Sequence, residues 1–316
     1  MRTTVLPDGV EVGRIGLGCM SMSHAYSPHE RDDAESVSVL NHAVDLGVTL
    51  FDTADIYGPY TNEELIGRAL RTRRDEVVLA TKCGLVSGPR GVLRRNGTPE
   101  HIRSACDASL ARLRTDRIDL LQLHRIDPAV PLSETWGAMA KLVAEGKVVR
   151  LGISHATVEE LDEAHAIHPV SAVQYELSIW ADYTLRDVIP WCRGHEAAFL
   201  AFACIGRGYL SGRLPPAAFS GDDSRSRDPR FTVEAMTANE RILTTVRAVA
   251  RRLDATPAQV AIAWVLAQGK DVIPIPGTKK MRWLRENVAA AELELGPDDL
   301  RELAAVPRPA GHRRWS

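Results

Sequence analysis

The sequence predicts an α/β fold of the (β/α)8 TIM-barrel type, in which helices surround a ring of eight parallel strands. Short apolar runs alternate with segments of helical period along the chain, the pattern of parallel strands joined by crossover helices. A length of 316 residues suits one such barrel, so we expect a single domain over residues 1–316. Polar residues follow several of these apolar runs, at the carboxyl ends of the predicted strands, where barrels of this type hold their active sites.

The eight strands are predicted from apolar runs of strand length. They lie near Ile15–Gly18, Val48–Phe51, Val77–Thr81, Asp119–Leu123, Val149–Ile153, Ala172–Gln174, Ala198–Phe202 and Val272–Ile275. Before them, the turn residues Pro7-Asp8-Gly9 predict an N-terminal β-hairpin. The segment Arg213–Asn239 is rich in Pro, Asp, Ser and Arg and has no apolar period. It predicts a long loop after strand 7, on the face where ligands bind.

The helices between the strands are indicated by apolar stripes and by start signals. One stripe recurs at helical spacing in Ile102, Ala105, Cys106, Ser109, Leu110 and Leu113. Near the end of the chain, Thr256 suits an N-cap, Pro257 the first helical position and Gln259 a capping box. We expect Gly269 to close that helix.

An open Rossmann sheet is the alternative α/β fold. Gly16-Leu-Gly18-Cys-Met-Ser21 approximates the glycine fingerprint of that fold. The fingerprint requires a helix to begin at once, so that its N-terminus can hold a pyrophosphate. The residues that follow contain Pro28 and no apolar helical stripe, and this context excludes the Rossmann fold.

Composition limits the kinds of partner. The net charge is −2 and no long Lys/Arg run occurs, so we expect no nucleic acid as a partner. The first residues lack an apolar signal core, and no apolar stretch approaches the roughly 20 residues that span a bilayer, so we expect a cytoplasmic protein without membrane contact. The five cysteines are scattered and never arranged as CxxC, which argues against disulfides and against a zinc site.

Four polar residues at or just beyond strand ends form the candidate catalytic group: Asp52, Tyr57, Lys82 and His124. Because the carboxyl ends of barrel strands open on one face, these side chains can meet although they are spread over 73 positions of the sequence. Each has an ordinary structural alternative. The aspartate can cap a turn, the tyrosine can be a loop aromatic, the lysine can lie on the surface, and the histidine can be a satisfied core residue.

The chain resembles the aldo-keto reductase superfamily, most closely its bacterial oxidoreductase-like branch. The resemblance runs in order over about residues 10–305 and is carried by GLGCMSMS (16–23), FDTADIYG (51–58), VLATKCG (78–84), IDLLQLHRID (118–127), VRLGISH (149–155), VQYELSIW (173–180), IGRGYLSG (205–212) and IPIPGTKKMRWLRENVAA (273–290). It implies a barrel that binds a nicotinamide cofactor, usually NADPH, without a Rossmann domain. It also implies chemistry without a metal.

The candidate residues suit the reduction of a carbonyl, which needs a proton on oxygen as well as a hydride on carbon. Tyr57 suits the general acid, and a cationic Lys82 beside it would lower its pKa from about 10. Asp52 would keep Lys82 charged, because a buried lysine without a counter-charge tends to lose its proton. His124 would orient the carbonyl oxygen. The resemblance assigns the same roles to these positions.

The cofactor-binding residues are those that match the family's motifs. They are Gly18, Met20, Ser154, Gln174, Tyr175, Ile205, Gly206, Arg207, Gly208, Leu210, Gly277, Thr278, Lys279, Arg282, Glu286 and Asn287. The resemblance implies that Ser154 and Gln174 hold the nicotinamide carboxamide, and Tyr175 can stack on the ring. His155 departs from the Asn or Glu of many relatives and has no assigned role.

The remaining cofactor positions concern the phosphates and the adenine. Backbone N–H groups of the Gly206–Gly208 loop suit the pyrophosphate. Thr278 and Lys279 suit a 2′-phosphate, which favours NADPH over NADH, because the extra phosphate would otherwise be desolvated unpaired. Glu286 and Asn287 suit the adenine amino edge.

We therefore expect NADPH-dependent reduction of an aldehyde or ketone to an alcohol by hydride transfer, with a small carbonyl compound as the partner. A cofactor-binding regulatory or sensing subunit, as in potassium-channel β-subunits, is the alternative function. Arg125 suits an anionic substrate, and a structural ion pair with Asp127 or Asp119 is the alternative. The sequence leaves open the substrate, the direction and the oligomeric state.

Overall fold

Parallel strands in chain order form the centre of the protein, as predicted. The computed structural model describes residues 2–6, 9–88, 92–214, 219, 221 and 223–311. The strands of this sheet are β3 (Leu17–Gly18), β4 (Leu50–Asp52), β5 (Val78–Cys83), β8 (Ile118–Leu123), β9 (Val148–Ser154), β10 (Ala172–Glu176), β11 (Ala198–Phe202) and β12 (Val272–Pro274). Every neighbouring pair is parallel. The N–H of Gly16 donates to the Pro274 carbonyl at 3.0 Å, which joins the two edges of the sheet.

Two antiparallel hairpins accompany the barrel. The first pairs β1 (Thr3–Val5) with β2 (Glu11–Gly13), and it confirms the predicted N-terminal hairpin, although Pro7 and Asp8 of its turn lie outside the described residues. Leu6 and Val12 of this hairpin pack into the apolar interior of the barrel at the amino ends of the strands. The second hairpin, β6 (Leu85–Ser87) and β7 (Leu93–Arg95), follows β5 on the opposite, carboxyl face.

The helices cover the outside of the barrel. They are α1 (Asp33–Asp45), α2 (Thr61–Ala69), α3 (Pro99–Leu113), α4 (Leu132–Ala144), α5 (Val158–Ile167), α6 (Val188–Gly194), α7 (Val233–Arg252), α8 (Pro257–Leu266), α9 (Met281–Ala289) and α10 (Pro297–Ala304). Among the described residues, no helix is both long enough and apolar enough to cross a bilayer.

The strands are buried on both faces, because alternate residues point to different apolar layers. Leu50, Val78, Ala80, Leu120, Ala172, Leu200 and Ile273 fill the barrel interior. The residues between them, such as Phe51, Leu79, Leu121 and Phe199, pack against the helices. The predicted stripe of α3 faces the same outer layer, with Ile102, Ala105, Cys106, Ser109 and Leu113 buried. The strands therefore read as continuous apolar runs in the sequence.

The predicted start of α8 is confirmed, but its predicted end is wrong. Thr256 accepts a hydrogen bond from the N–H of Gln259, whose side chain accepts one from the N–H of Thr256. The helix ends at Leu266 with Ala267 as its C-cap, two residues before Gly269. Ala267 keeps right-handed backbone angles and its N–H still bonds the Ala263 carbonyl, so no glycine is needed there.

The long loop predicted after the seventh barrel strand, β11, is present but shorter than predicted. α7 begins at Val233, inside the segment Arg213–Asn239, because Thr232 caps it by accepting from the N–H of Ala235 at 3.1 Å. Short 3-10 turns at Ser224–Arg227 and Pro229–Phe231 interrupt the preceding loop.

Gly67 of α2 packs directly against the backbone of α3. A Cβ at Gly67 would lie 2.5 Å from the Arg112 carbonyl oxygen, whereas one at Gly137 of α4 would meet no heavy atom within 4 Å. We expect Gly67→Ala to lower the free energy of unfolding by about 1–3 kcal/mol, because backbone atoms must separate. The control Gly137→Ala should raise it by up to about 1 kcal/mol through helix propensity. Chemical denaturation measures both, and an unchanged Gly67→Ala would contradict the packing.

Candidate active site

The four predicted catalytic side chains are brought together at the carboxyl ends of the strands. Lys82 is 1% exposed and lies between Asp52 and Tyr57. Its Nζ donates to Asp52 Oδ1 at 2.6 Å, to the Thr53 carbonyl at 2.7 Å and to the Tyr57 hydroxyl at 3.5 Å. These three acceptors use all three N–H bonds of the ammonium. His124 is the fourth member, with its ring centroid 6.0 Å from that of Tyr57 in an edge-on arrangement.

Electrostatics keep the lysine charged and the tyrosine protonated. Burial by itself lowers the pKa of Lys82, but Asp52 and Tyr57 outweigh burial, and the net pKa is raised above its usual value. Burial raises the pKa of Tyr57 above its usual value, although Lys82 opposes this rise. The expected lowering of the Tyr57 pKa is therefore wrong in direction, because desolvation of the phenolate exceeds the attraction of the lysine. The phenol keeps its proton at neutral pH.

His124 is neutral in this environment. Burial, and then the positive charge of Lys82, holds its pKa well below the usual value. A neutral imidazole carries one N–H donor and one acceptor nitrogen. Its Nδ1 is buried and makes no hydrogen bond to any described residue. The ring therefore has hydrogen-bonding capacity next to the Tyr57 phenol.

Gln122 belongs to the site although we did not predict it. Its Nε2 donates to Asp52 Oδ2 at 3.0 Å, and Gln174 Nε2 donates to the same oxygen at 2.8 Å. Gln174 also donates to Gln122 Oε1 at 3.1 Å, so the two amides and the carboxylate form one buried network. The available signal was a polar residue inside the apolar run Leu120–Leu123 of β8, at the inward position two residues after Leu120.

The residues predicted to hold the nicotinamide line the ends of β9 and β10. Ser154 is buried, and its Oγ accepts from Arg125 Nη1 at 3.2 Å. Tyr175 donates its hydroxyl to the Ala156 carbonyl at 2.7 Å. Its ring packs against His155 with the centroids 4.7 Å apart. His155 has a left-handed φ of 59°, a conformation that asparagine also tolerates. Its pKa is lowered to about 3 by burial, and Arg125 and Arg207 add to this effect.

The loop after β11 makes its own hydrogen bonds. The N–H of Gly206 donates to the Ala203 carbonyl at 2.7 Å, and the N–H of Gly208 donates to the Ile205 carbonyl at 3.0 Å. These two amides are therefore not the free donors that we expected for a pyrophosphate. Arg207 lies 3.5 Å from an oxygen of Asp228. Two apolar residues predicted here, Ile205 and Leu210, pack into the outer core.

The first and last barrel strands approach closely at Gly18 and Gly277, two glycines that were predicted to bind the cofactor. A Cβ on Gly18 would lie 2.8 Å from the Ile275 carbonyl oxygen, and one on Gly277 would lie 3.0 Å from the Gly18 carbonyl oxygen. Only glycine fits this contact. Met20 follows in a 3-10 turn and packs against the small cluster that contains Tyr57.

The predicted phosphate-binding residues have protein partners in the structure. Lys279 is buried, and its Nζ donates to the carbonyls of Ser27 at 2.8 Å and Tyr26 at 3.1 Å. Burial lowers the pKa of Lys279. The hydroxyl of Thr278 donates to the Lys280 carbonyl at 3.3 Å. Lys279 therefore lies beneath a loop and does not face open solvent.

The predicted adenine contacts lie on α9. Glu286 accepts from Arg213 Nη2 at 3.0 Å and from Thr256 Oγ1 at 2.7 Å. Asn287 is buried. The guanidinium of Arg282 lies 4.0 Å from the centre of the Trp283 ring. The carboxylate is thus already paired, and the three residues share one short helix.

Sequence comparison supplies the family. A model of the aldo/keto reductase family matches residues 14–307. The chain belongs to this family. It is similar to a probable aldo-keto reductase of Glycine max, with 41% identity over 302 residues, which cover 95% of this chain and 87% of that protein. The resemblance seen in the motifs is therefore confirmed.

Solved structures of the same family agree with the fold. A glycerol dehydrogenase from Gluconobacter oxydans superposes with a TM-score of 0.86 at 28% identity, covering 95% of this chain and 93% of that chain. An aldo/keto reductase from Klebsiella pneumoniae, solved with NADP and acetate, has a TM-score of 0.73 at 27% identity and covers 99% and 98%. A structure of a Klebsiella pneumoniae aldo-keto reductase with NADPH has a TM-score of 0.73 at 28% identity and covers 96% and 94%.

The buried neutral His155 makes stability depend on pH. Its folded pKa of about 3 lies below the unfolded value of about 6.5, so its contribution is fully present above pH 6.5 and is lost as the pH falls towards 3. We expect His155→Asn to reduce the slope of unfolding free energy against pH between about 6 and 4, by at most about 1.4 kcal/mol per pH unit. Urea denaturation at several pH values measures the slope. Identical slopes would show that His155 does not stay neutral.

Proposed function

We propose that the protein catalyses the NADPH-dependent reduction of an aldehyde or ketone to an alcohol, with Tyr57 as the general acid. The observation that carries this proposal is the Lys82 ammonium, held 2.6 Å from Asp52 and 3.5 Å from the Tyr57 hydroxyl. A buried lysine in contact with a phenol stabilises the phenolate that forms when the phenol gives up its proton. The family assignment and the NADP-bound relatives support the same chemistry.

The residues at the strand ends fit a nicotinamide cofactor. Gln174 commits its amide nitrogen to Asp52, so its carbonyl oxygen suits a carboxamide N–H, and the Ser154 hydroxyl suits the other end of that group. The aromatic face of Tyr175 suits stacking on the ring. The buried Nδ1 of His124, without a described partner, adds a polar group where the substrate would enter. Bound NADPH supplies the hydride that the carbonyl carbon receives.

The protein residues control the proton. Tyr57 donates its phenolic proton to the carbonyl oxygen as negative charge develops there, and solvent later restores it. Lys82 stabilises the phenolate, and Asp52 keeps Lys82 charged when the phenol is neutral. Neutral His124 donates a hydrogen bond that orients the carbonyl oxygen beside the phenol. Lys82 is enclosed, which strengthens these interactions because water does not screen them.

Preference for NADPH over NADH is assigned to Lys279. Its ammonium bonds two backbone carbonyls in the structure and lies 3.7 Å from an oxygen of Glu30, and a 2′-phosphate offers it a further charged acceptor. NADH lacks that phosphate and leaves the lysine with these protein partners. The preference therefore rests on a charge-assisted contact that only one cofactor makes.

Tyr57→Phe tests the acid. Removing the hydroxyl should lower kcat by about 10²- to 10⁴-fold, because the proton donor is lost, and should leave the dissociation constant of NADPH nearly unchanged. The matched control is Tyr60→Phe, three residues away, whose ring lies 4.9 Å from the Arg112 guanidinium. Turnover is followed by the loss of reduced-nicotinamide absorbance with a panel of small aldehydes and ketones. Full turnover by Tyr57→Phe would remove this residue from the acid role.

Lys279→Met tests the cofactor preference. We expect the dissociation constant for NADPH to rise by about 10-fold or more, with a much smaller change for NADH, because one charge-assisted contact is worth about 1.5–3 kcal/mol. The matched control is Lys280→Met, which removes the neighbouring lysine that pairs with Glu35 at 2.6 Å. Titration by nicotinamide fluorescence gives the constants. Equal weakening of both cofactors would place the phosphate contact elsewhere.

A further inference from the structure

Arg125 is a cation next to the candidate catalytic group, and the described residues include no acidic partner for it. It follows His124 directly and is partly buried. Its Nη1 donates to the His124 carbonyl at 2.6 Å and to Ser154 Oγ at 3.2 Å. These two bonds fix one end of the guanidinium between the site histidine and β9. Within the described part of the chain, no carboxylate lies within ion-pair distance of Arg125, and its Nε and Nη2 make no hydrogen bond.

The ion pair considered as the structural alternative for Arg125 is not formed. Asp119 lies at the start of β8 and instead pairs with Arg74 at 2.7 Å. Asp127 accepts hydrogen bonds from the N–H groups of Gly97 and Ala129, both at 3.0 Å. Both candidate aspartates are therefore bound to other groups, and neither of them balances the charge of Arg125.

The groups that face Arg125 do not neutralise it. Three tyrosines, Tyr57, Tyr175 and Tyr183, lie within electrostatic range, and all three have raised pKa values, so they are uncharged at neutral pH. The cationic Arg95 of β7 also acts on Arg125 and lowers its pKa further, as a like charge does. Burial lowers the pKa of Arg125 to about 10, which still leaves it charged near neutrality. A partly buried charge in this setting is stabilised by an anion that enters from outside.

We propose that the physiological substrate is a carbonyl compound that also carries a carboxylate, and that Arg125 binds this carboxylate through its Nε and Nη2. This inference rests on the proposed reductase function and names its substrate class. The guanidinium presents two parallel N–H donors, a geometry that matches the two oxygens of a carboxylate. During the reaction the carbonyl carbon gains a hydride from NADPH, the carbonyl oxygen gains the Tyr57 proton, and the carboxylate is unchanged.

The test compares matched substrates that differ in the carboxylate. Succinic semialdehyde is paired with butanal, and 4-carboxybenzaldehyde with benzaldehyde. Wild-type protein should show a kcat/KM at least about 10-fold higher for the carboxylated member of one pair, the gain expected from a charge-assisted bidentate contact. Arg125→Met should abolish most of this ratio, mainly through KM. Arg125→Lys should retain only part of it, because lysine keeps the charge but loses the fork.

Two further measurements separate a direct contact from other effects. Arg103→Met removes an equivalent charge from the exposed side of α3, where Arg103 lies 3.7 Å from Glu100, and it should leave the substrate ratio intact. Butyrate should inhibit butanal reduction competitively in wild-type protein, whereas butyramide should not, and Arg125→Met should lose the inhibition by butyrate. Fluorescence titration with NADPH confirms that each variant is folded and still binds the cofactor.

The outcomes distinguish the inference from the function beneath it. No turnover on any aldehyde by protein that binds NADPH would count against the proposed reductase and the inference together. Turnover of neutral aldehydes with no advantage for carboxylated ones would overturn the inference alone. Equal losses on both members of a pair in Arg125→Met would also overturn it, because Arg125 would then act only by positioning His124 and Ser154. A preference for glyceraldehyde 3-phosphate over glyceraldehyde that exceeds both carboxylate ratios would replace the carboxylate with a phosphate.

Discussion

The buried charge of Lys82 is the constraint on which the site depends. An ammonium that is 1% exposed is strongly destabilising unless each N–H has an acceptor and a negative charge lies nearby. Asp52 provides the charge, and the Thr53 carbonyl and the Tyr57 hydroxyl complete the set. The second oxygen of Asp52 in turn accepts hydrogen bonds from Gln122 of β8 and Gln174 of β10, across the barrel interior. One cation thus determines which polar residues the interior accepts, and it fixes the phenol in contact with it.

The barrel makes this network possible because inward positions recur every second residue along each strand. Lys82 pairs in register with Gln122, and Gln174 pairs with Ser154, so inward polar side chains lie near the carboxyl ends of four strands. Two residues before Lys82, Gln122 and Gln174, the inward positions hold apolar residues of the barrel interior. These are Ala80, Leu120 and Ala172. Apolar side chains therefore separate the polar layer from the amino ends of the strands. Low screening at that level gives the lysine its influence over the phenol.

Ion pairs and hydrogen bonds between charged residues connect the loops at the edge of the site. Asp223 in the long loop accepts from the N–H of Ser27 at 3.1 Å and pairs with Arg225 at 2.7 Å. Lys279 bonds the carbonyl of the same Ser27, and Glu286 is paired with Arg213. If the proposed cofactor binds here, Lys279 and Glu286 must exchange these protein partners for the phosphate and adenine atoms of the dinucleotide. Net affinity is then the difference between two sets of polar contacts, which favours selectivity more than strength.

The sequence alone determined the strand order, the helices with local start signals and the four candidate catalytic residues, because periodicity, capping and position at a strand end are encoded within a few residues. The tertiary structure decided the part of Gln122, the raised pKa of Tyr57, the partners of Lys279 and the lack of an acidic partner for Arg125 within the described chain. Each of these depends on burial or on distances between residues far apart in sequence. Local sequence carries no information about the sum of desolvation and charge at a point in the barrel, and that sum sets what each side chain does.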